Sequence, residues 1–120
     1  MNRLKLNTDG QQALQSFAQA LIRTPSPSGE EGAVADLIAA EMRRLGFDEV
    51  LVDEGGNVLG RVGPASGPAL MLNSHMDTVG ITDRAAWTVD PYAGEIRNGT
   101  LYGLGSCDMK GGLAATVYGA

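Results

Sequence analysis

The stretch from Ala69 to Val79 constrains the fold most, because a short apolar run here ends in a polar cluster with the only histidine of the chain. An apolar run of this length, preceded by Gly67-Pro68, is typical of a buried strand rather than a helix. Side chains alternate along a strand, so we expect His75 and Asp77 on the same face. Open α/β sheets bind ligands at the carboxyl ends of their strands. The sequence therefore predicts an α/β fold with an imidazole and a carboxylate side by side at a strand end.

Two helices are predicted before this strand. The first begins near Thr8 or Asp9, which both offer a side-chain oxygen as a cap, and the prolines of Thr24–Pro27 end it. The second follows Ser28–Glu31, which has the spacing of a capping box, and its apolar stripe runs to about Leu45.

Turn signals predict hairpins and a final helix. Phe47–Asp53 and Asn57–Val62 read as two strands joined by a turn. Asn98-Gly99 is the strongest short hairpin signal in the chain and joins two further strands. A glycine-rich stretch then leads into a helix over Leu113–Tyr118. With the buried strand, these elements predict a mixed sheet.

Composition excludes several classes of protein. The net charge of −5 and the pI of about 4.6 argue against nucleic-acid binding, which needs clustered Lys and Arg. No apolar segment approaches the roughly 20 residues that span a bilayer, and Met1–Asn7 lacks an apolar signal core, so no membrane association is expected. The single cysteine, Cys107, cannot form an internal disulfide, which fits a reducing compartment. A cytoplasmic location is therefore expected.

Two positions offer metal-binding chemistry. Neutral imidazole is the commonest protein ligand for zinc, so His75 is a candidate ligand and Asp77 a candidate partner for its other ring nitrogen. Asp108 lies in the glycine-rich turn before the last helix, where its carboxylate could bridge two divalent ions. Each has a simpler interpretation: His75 as a hydrogen-bonded core residue, and Asp108 as an acid favoured by the helix dipole.

Other interpretations of the glycine-rich turn fail. Asp108 stands where a dinucleotide-binding fingerprint needs its third glycine, and Lys110 lacks the neighbours that a phosphate-binding loop requires. Ser106 lacks the flanking glycines of a nucleophile elbow. Cys107 could act as a nucleophile, although the sequence assigns it no base. Lys110 is interpreted as a surface residue at the start of a helix.

Two motifs in order give the sequence a family resemblance. Leu70–Val79 followed by Gly103–Gly112 resembles the zinc-dependent aminoacylase/carboxypeptidase metallopeptidase family, the group similar to acetylornithine deacetylase and succinyl-diaminopimelate desuccinylase. Pro25–Glu31 and Trp87–Tyr92 match the usual order of the family as well. The resemblance covers nearly the whole chain after residue 10. It implies a three-layer α/β/α catalytic domain.

The resemblance also implies roles for three residues. His75 would ligate one zinc ion, Asp77 would orient and polarise His75, and Asp108 would bridge two zinc ions. One or two ions would bind, with cobalt as an alternative metal. The family reaction is hydrolysis of an amide next to a carboxylate, so the substrate would be a small N-acyl amino acid or a peptide.

The same resemblance predicts that the catalytic set is incomplete here. The family places its general base and further ligands in a later Glu-Glu pair and in later acidic and histidine residues. Glu30-Glu31 precedes the histidine motif and cannot be carried over as that base. Residues 1–120 are therefore expected to be an inactive amino-terminal part of the catalytic domain, without the lid or dimerisation domain. Whether the full-length protein is a homodimer is left open.

Two rival functions remain at this point. The fold could be kept as a non-catalytic binding or assembly module, or Cys107 could serve a cysteine hydrolase.

Overall fold

The computed structural model describes residues 6–120, which form three α-helices, a short 3-10 helix (Arg84–Ala86) and four short strands. The prediction that Met1–Asn7 lacks an apolar signal core concerns mainly residues 1–5, which lie outside the described residues. The helices are α1 (Thr8–Arg23), α2 (Gly32–Leu45) and α3 (Gly111–Gly119), and the strands are β1 (Glu49–Val52), β2 (Val58–Arg61), β3 (Glu95–Arg97) and β4 (Thr100–Tyr102). The predicted α/β class is confirmed.

Helix α1 begins where the sequence predicts but is capped one residue earlier. The Asn7 side chain accepts a hydrogen bond of 2.8 Å from the backbone N–H of Gly10, so Asn7 rather than Thr8 or Asp9 is the cap. The apolar face of α1 packs against α2 and α3 as its helical spacing predicts. The buried residues that form this core are Phe17, Ala18, Leu21, Val34, Ile38, Leu113, Ala114 and Val117.

Helix α2 begins without the predicted capping box. Its cap residue is Glu31, which makes no side-chain capping bond and instead accepts a hydrogen bond from the N–H of Gly29. Helix α2 begins at Gly32, so Ser28 lies three residues before the cap, and its hydroxyl donates to Asp77, 49 positions further along the chain. The prediction of a capping box at Ser28 is therefore wrong, because Glu31 rather than Ser28 occupies the cap position of the helix.

The strands pair as two separate antiparallel hairpins. Strand β1 pairs with β2, and β3 pairs with β4. The turn between β3 and β4 has positive φ at Asn98 (50°) and Gly99 (76°), as a two-residue hairpin turn requires. One parallel bridge, between Pro27 and Thr78, also occurs. Among residues 6–120 these pairings do not join into one mixed sheet.

The segment predicted as a buried strand is exposed. Leu70 and Met71 are 87% and 84% exposed, and Leu72 is also exposed. Residues 69–77 pair with no strand among the described residues, and the first ladder contact is the bridge at Thr78. The prediction of burial is wrong for this chain, because an apolar strand is buried only where neighbouring strands and helices cover both of its faces. Within residues 6–120, none of the helices combines the length and the apolar character needed to cross a bilayer.

This exposure leads to a test on the 120-residue chain. Replacing Leu70 by Ser should change the free energy of unfolding by less than about 0.5 kcal/mol, because the side chain already faces solvent. Replacing Leu21, which is fully buried, by Ala should cost about 2–5 kcal/mol. Urea denaturation of both variants measures the difference. Equal losses would contradict the exposed placement of residues 69–72.

A polar cluster links the ends of α2 and α3. The hydroxyl of Tyr118 donates to the Glu41 carboxylate and accepts a 2.9 Å hydrogen bond from Arg44. Arg44 also forms a salt bridge of 2.7 Å with Glu41. The hydrogen bond from Arg44, joined by the one from Tyr118, lowers the pKa of Glu41. The cluster ties the last turn of α3 to the core.

The lowered pKa fixes the sign of a pH dependence. At pH 7 Tyr118→Phe should lower the free energy of unfolding by about 1 kcal/mol, because it removes the hydroxyl that donates to Glu41 and accepts from Arg44, two partly exposed charges. A depressed carboxyl pKa gives stability that is present above the unfolded pKa and is lost as the pH falls through the folded pKa. The difference between the two proteins should therefore shrink in acid. Denaturation curves at several pH values measure it, and a difference that grows in acid would contradict the assignment.

Candidate metal centre

Two distant parts of the chain meet at one imidazole ring. His75 ends the exposed segment described above, and Asp108 lies in the turn Ser106–Lys110 just before α3. The Nε2 atom of His75 is 2.7 Å from Oδ1 of Asp108. The structure therefore brings the two candidate ligands, 33 positions apart in the sequence, into direct contact.

Asp77 binds the other nitrogen of the same ring. Its side-chain Oδ1 and its backbone oxygen both lie 3.1 Å from Nδ1 of His75. Both atoms are acceptors, so Nδ1 carries a proton. Nε2 faces a carboxylate oxygen of Asp108, so it too carries a proton in this arrangement, and a metal ion would bind the neutral ring, in which Nε2 has lost that proton. The predicted pairing of His75 with Asp77 is thus present, and it leaves the nitrogen that faces Asp108 available for coordination.

Ser28 fixes the second oxygen of Asp77. The Ser28 hydroxyl donates to Oδ2 of Asp77, while Oδ1 faces the imidazole. The hydrogen bond from Ser28, with the nearby His75 ring, lowers the pKa of Asp77. The carboxylate is therefore held ionised with both oxygens engaged, which is the state that orients a histidine ligand and raises its basicity.

The two acids act differently on the histidine. The hydrogen bond to Asp108, followed by the contacts with Asp77, raises the pKa of His75. The Asp77 side chain is about one-third exposed, whereas that of Asp108 is 88% exposed. Asp108 is thus open to solvent on the side away from the ring, where a cation or a substrate could approach it.

The turn that carries Asp108 is close to the chain around Thr78. Gly105 has a φ of 76°, and a Cβ atom at this position would lie 2.5 Å from Cγ2 of Thr78. The backbone N–H of Lys110 donates to the carbonyl of Gly105 over 2.8 Å, which closes the turn. A glycine is therefore required here for two reasons: positive φ and the close approach of the histidine-bearing segment.

Lys110 is buried, so its predicted placement on the surface is wrong. Only 1% of the residue is exposed, and its Nζ donates to the backbone carbonyls of Leu21 (2.8 Å) and Thr24 (2.7 Å). Burial lowers the pKa of Lys110 to about 8. Position alone suggested a solvated helix start, whereas the ammonium group in fact binds carbonyls at the carboxyl end of α1.

A third element, Thr24–Ser28, links α1 to this site; we call it the proline segment. Ser26 is fully buried. Its Oγ donates to the carbonyl of Met76 (2.8 Å), and its backbone carbonyl accepts from the N–H of Thr78 (2.9 Å). From the sequence, Thr24–Pro27 is interpreted as a helix stop and Ser28 as a helix cap, and neither contact with residues 76–78 is predicted. The alternation of Pro and Ser was the available signal, because proline on both sides of Ser26 favours an extended chain that can pair with another strand.

The site opens into a cleft of about 420 Å³. Ser28, His75, Asp77 and Asp108 line it together with Ser106 and Cys107. Cys107 is exposed and has no disulfide partner. The cleft therefore has room for a small ligand next to the His75–Asp108 pair.

The donor atoms in this cleft fit part of a zinc site. One imidazole nitrogen and one carboxylate oxygen converge, and both are atom types that zinc accepts. A catalytic zinc ion takes three protein ligands, whereas residues 6–120 contain no group of three His, Cys, Asp or Glu side chains placed to hold a metal. The described residues thus offer two candidate ligands, Asp108 and the oriented His75, and they leave the set incomplete.

Known proteins resemble most of this chain in sequence. The model of peptidase family M20/M25/M40 matches residues 71–120, which include His75, Asp77 and Asp108. The uncharacterized protein YgeY of Escherichia coli K12 is 40% identical over 111 residues, which are 92% of this chain and 27% of that protein. Two succinyl-diaminopimelate desuccinylases are also similar. The one from Methylorubrum extorquens is 42% identical over 109 residues (85% of this chain, 28% of that protein), and the one from Cereibacter sphaeroides is 44% identical over 103 residues (83% and 27%). The chain spans about a quarter of the length of these relatives.

Proposed function

The chain belongs to peptidase family M20/M25/M40, and on that basis we propose that its full-length protein is a zinc-dependent hydrolase of amide bonds. By full-length protein we mean the complete reading frame that contains these 120 residues. The substrates would be N-acyl amino acids or small peptides, and the protein would act in the cytoplasm. One observation carries the proposal: the contact between Nε2 of His75 and the Asp108 carboxylate at the mouth of a cleft.

Each of three residues has a distinct task in this proposal. His75 would ligate a zinc ion through Nε2, and Asp108 would bind the same ion or bridge it to a second one. Asp77 would not touch metal; its hydrogen bond to Nδ1 would keep the ring in the ligating tautomer and raise its basicity. A zinc ion here would supply a Lewis acid for the amide carbonyl and lower the pKa of water.

The described part of the chain would not catalyse the reaction alone. It provides two zinc ligands, and the family general base has no counterpart that we could carry over to it. We propose that residues 1–120 form the amino-terminal part of the catalytic domain, and that alone they bind zinc weakly and hydrolyse nothing. The remaining ligands and the base would come from elsewhere in the full-length protein.

The relatives suggest which acyl group to test first. Two of them are named for removal of a succinyl group from diaminopimelate, which makes an N-succinyl amino acid the leading substrate class. N-acetyl amino acids and dipeptides are the next classes to compare. Asp77 and Asp108 both line the cleft and would repel a ligand that carries a free carboxylate. Such a ligand would therefore bind only if a cation offset their negative charge.

We predict that two substitutions will separate metal binding from turnover. In the full-length protein His75→Ala should lose both zinc and activity, because it removes a ligand. Asp77→Ala should keep much of the zinc but lose rate, because it removes only the group that orients the ligand. Zinc content by atomic emission and amine release from N-succinyl and N-acetyl amino acids measure the two effects.

Asp36→Ala is the matched control, since Asp36 is an exposed acid on α2 outside the site. It should match the parent protein in both measurements. Equal zinc content and equal turnover in the parent, His75→Ala and Asp77→Ala would defeat the proposal. A full-length protein that binds zinc but releases no amine from any substrate class would favour the non-catalytic module instead.

Cys107 gives the remaining rival a direct test. It is exposed in the cleft, so a thiol reagent can reach it. A Cys107→Ser variant with full activity would exclude a cysteine nucleophile, and a total loss of activity with zinc retained would favour one.

A further inference from the structure

Lys110 and Asp108 lie on one turn but face opposite environments. The Asp108 side chain is almost fully exposed in the cleft, whereas Lys110 is inside the protein with 1% of its surface exposed. Burial of an ammonium group is costly unless the group is fully hydrogen-bonded. An apolar side chain could fill the same space at a lower cost, so the position of a lysine here needs a reason.

The partners of Lys110 supply that reason. Its Nζ donates to the carbonyls of Leu21 and Thr24, which belong to the last turn and the cap of α1. The last carbonyls of a helix have no partner within the helix, and they attract a cation because of the helix dipole. One side chain therefore binds two carbonyls, of which that of Leu21 also accepts a 3.3 Å hydrogen bond from the N–H of Thr24, and joins the turn to the carboxyl end of α1.

Both ends of Lys110 are fixed, so Asp108 is fixed as well. The backbone N–H of Lys110 is bonded to the carbonyl of Gly105, and the ammonium group is bonded to α1. Asp108 lies between these two anchored points and outside any regular helix, with φ −130° and ψ 89°. A displacement of Lys110 would move the carboxylate, because no regular helical hydrogen bonding holds it in place.

The same end of α1 also positions the histidine. The proline segment continues directly from α1, and there Ser26 binds the backbone of Met76 and Thr78 while Ser28 binds Asp77. Both halves of the candidate metal centre are therefore attached to one short stretch of chain. Lys110 attaches the Asp108 half, and the proline segment attaches the His75 half.

We propose that Lys110 is a positioning residue of the metal centre, which holds the Asp108 carboxylate against His75 by binding the last carbonyls of α1. The proposal rests on the proposed zinc site. It goes further in assigning a task to a buried side chain that touches neither metal nor substrate.

The test uses Lys110→Met in the full-length protein, because methionine fills a similar volume without donors or charge. The matched control is Ile38→Ala, a core substitution in α2 that lowers stability without removing a hydrogen bond of the turn or of the proline segment. Zinc affinity is measured by competition with a chromophoric chelator, and the visible spectrum of the cobalt-substituted protein reports the ligand geometry. Urea denaturation gives the stability of both variants.

We expect Lys110→Met to weaken zinc binding roughly 10–100-fold, the range seen when a group that orients a metal ligand is removed. Its cobalt spectrum should shift and its kcat should fall more than its KM rises. Ile38→Ala, at a similar loss of stability, should keep the affinity and spectrum of the parent. Equal zinc affinity and identical spectra in the two variants would overturn the proposal and leave Lys110 with a purely structural role.

Two further measurements keep the outcome decisive. If Lys110→Met does not fold, Lys110→Gln, which keeps an N–H donor, should show a loss of at least about 10-fold in zinc affinity; parent-like affinity in that variant overturns the proposal. His75→Ala in the same assay separates the two proposals. A parent protein that binds zinc no better than His75→Ala refutes the zinc site itself, whereas a loss in His75→Ala but none in the Lys110 variants refutes only the role of Lys110.

Discussion

The packing of helix α1 between α2 and α3 is the constraint on which the rest of the structure depends. Leu21 and Ile22, near the carboxyl end of α1, are fully buried, and α3 contributes Leu113, Ala114 and Val117 to the same core. The two hairpins are too short to form an independent core, because two-stranded sheets are marginal in water. The helices therefore fix the end of α1, and the polar groups of the candidate site are attached to that end.

The parts of the fold that follow local rules could be predicted from the sequence. The apolar stripes placed α1 and α2 within a few residues, and Asn98-Gly99 located the second hairpin, because both signals depend on residues close in the chain. The proximity of His75 and Asp108 could be anticipated only from two motifs taken together. Neither residue alone distinguishes a metal ligand from an ordinary polar residue.

Apart from the cap of α1, the features that local rules missed are long-range. Ser28 has the sequence of a helix cap, yet its hydroxyl binds an acid 49 positions away. Lys110 occupies a typical surface position at a helix start, yet its ammonium group reaches carbonyls 86 and 89 positions away. The apolar run at Leu70 has the pattern of a core strand, but burial needs covering elements that residues 6–120 do not provide. In each case the partner, rather than the residue, decides the environment.

The exposed segment before His75 has a consequence for how a cation would bind. Asp108 is held by a buried side chain, whereas residues 69–74 bury little surface that would offset the loss of conformational entropy on ordering. Fixing each backbone residue costs about 1–2 kcal/mol in lost entropy. In the isolated chain, the entropic cost of ordering residues 69–74 would offset part of the free energy of metal coordination. Chain entropy as well as ligand chemistry would then limit the affinity for a metal ion. Elements that cover Leu70 and Met71 would then raise the metal affinity without contacting the metal, because they would order this segment before the cation binds.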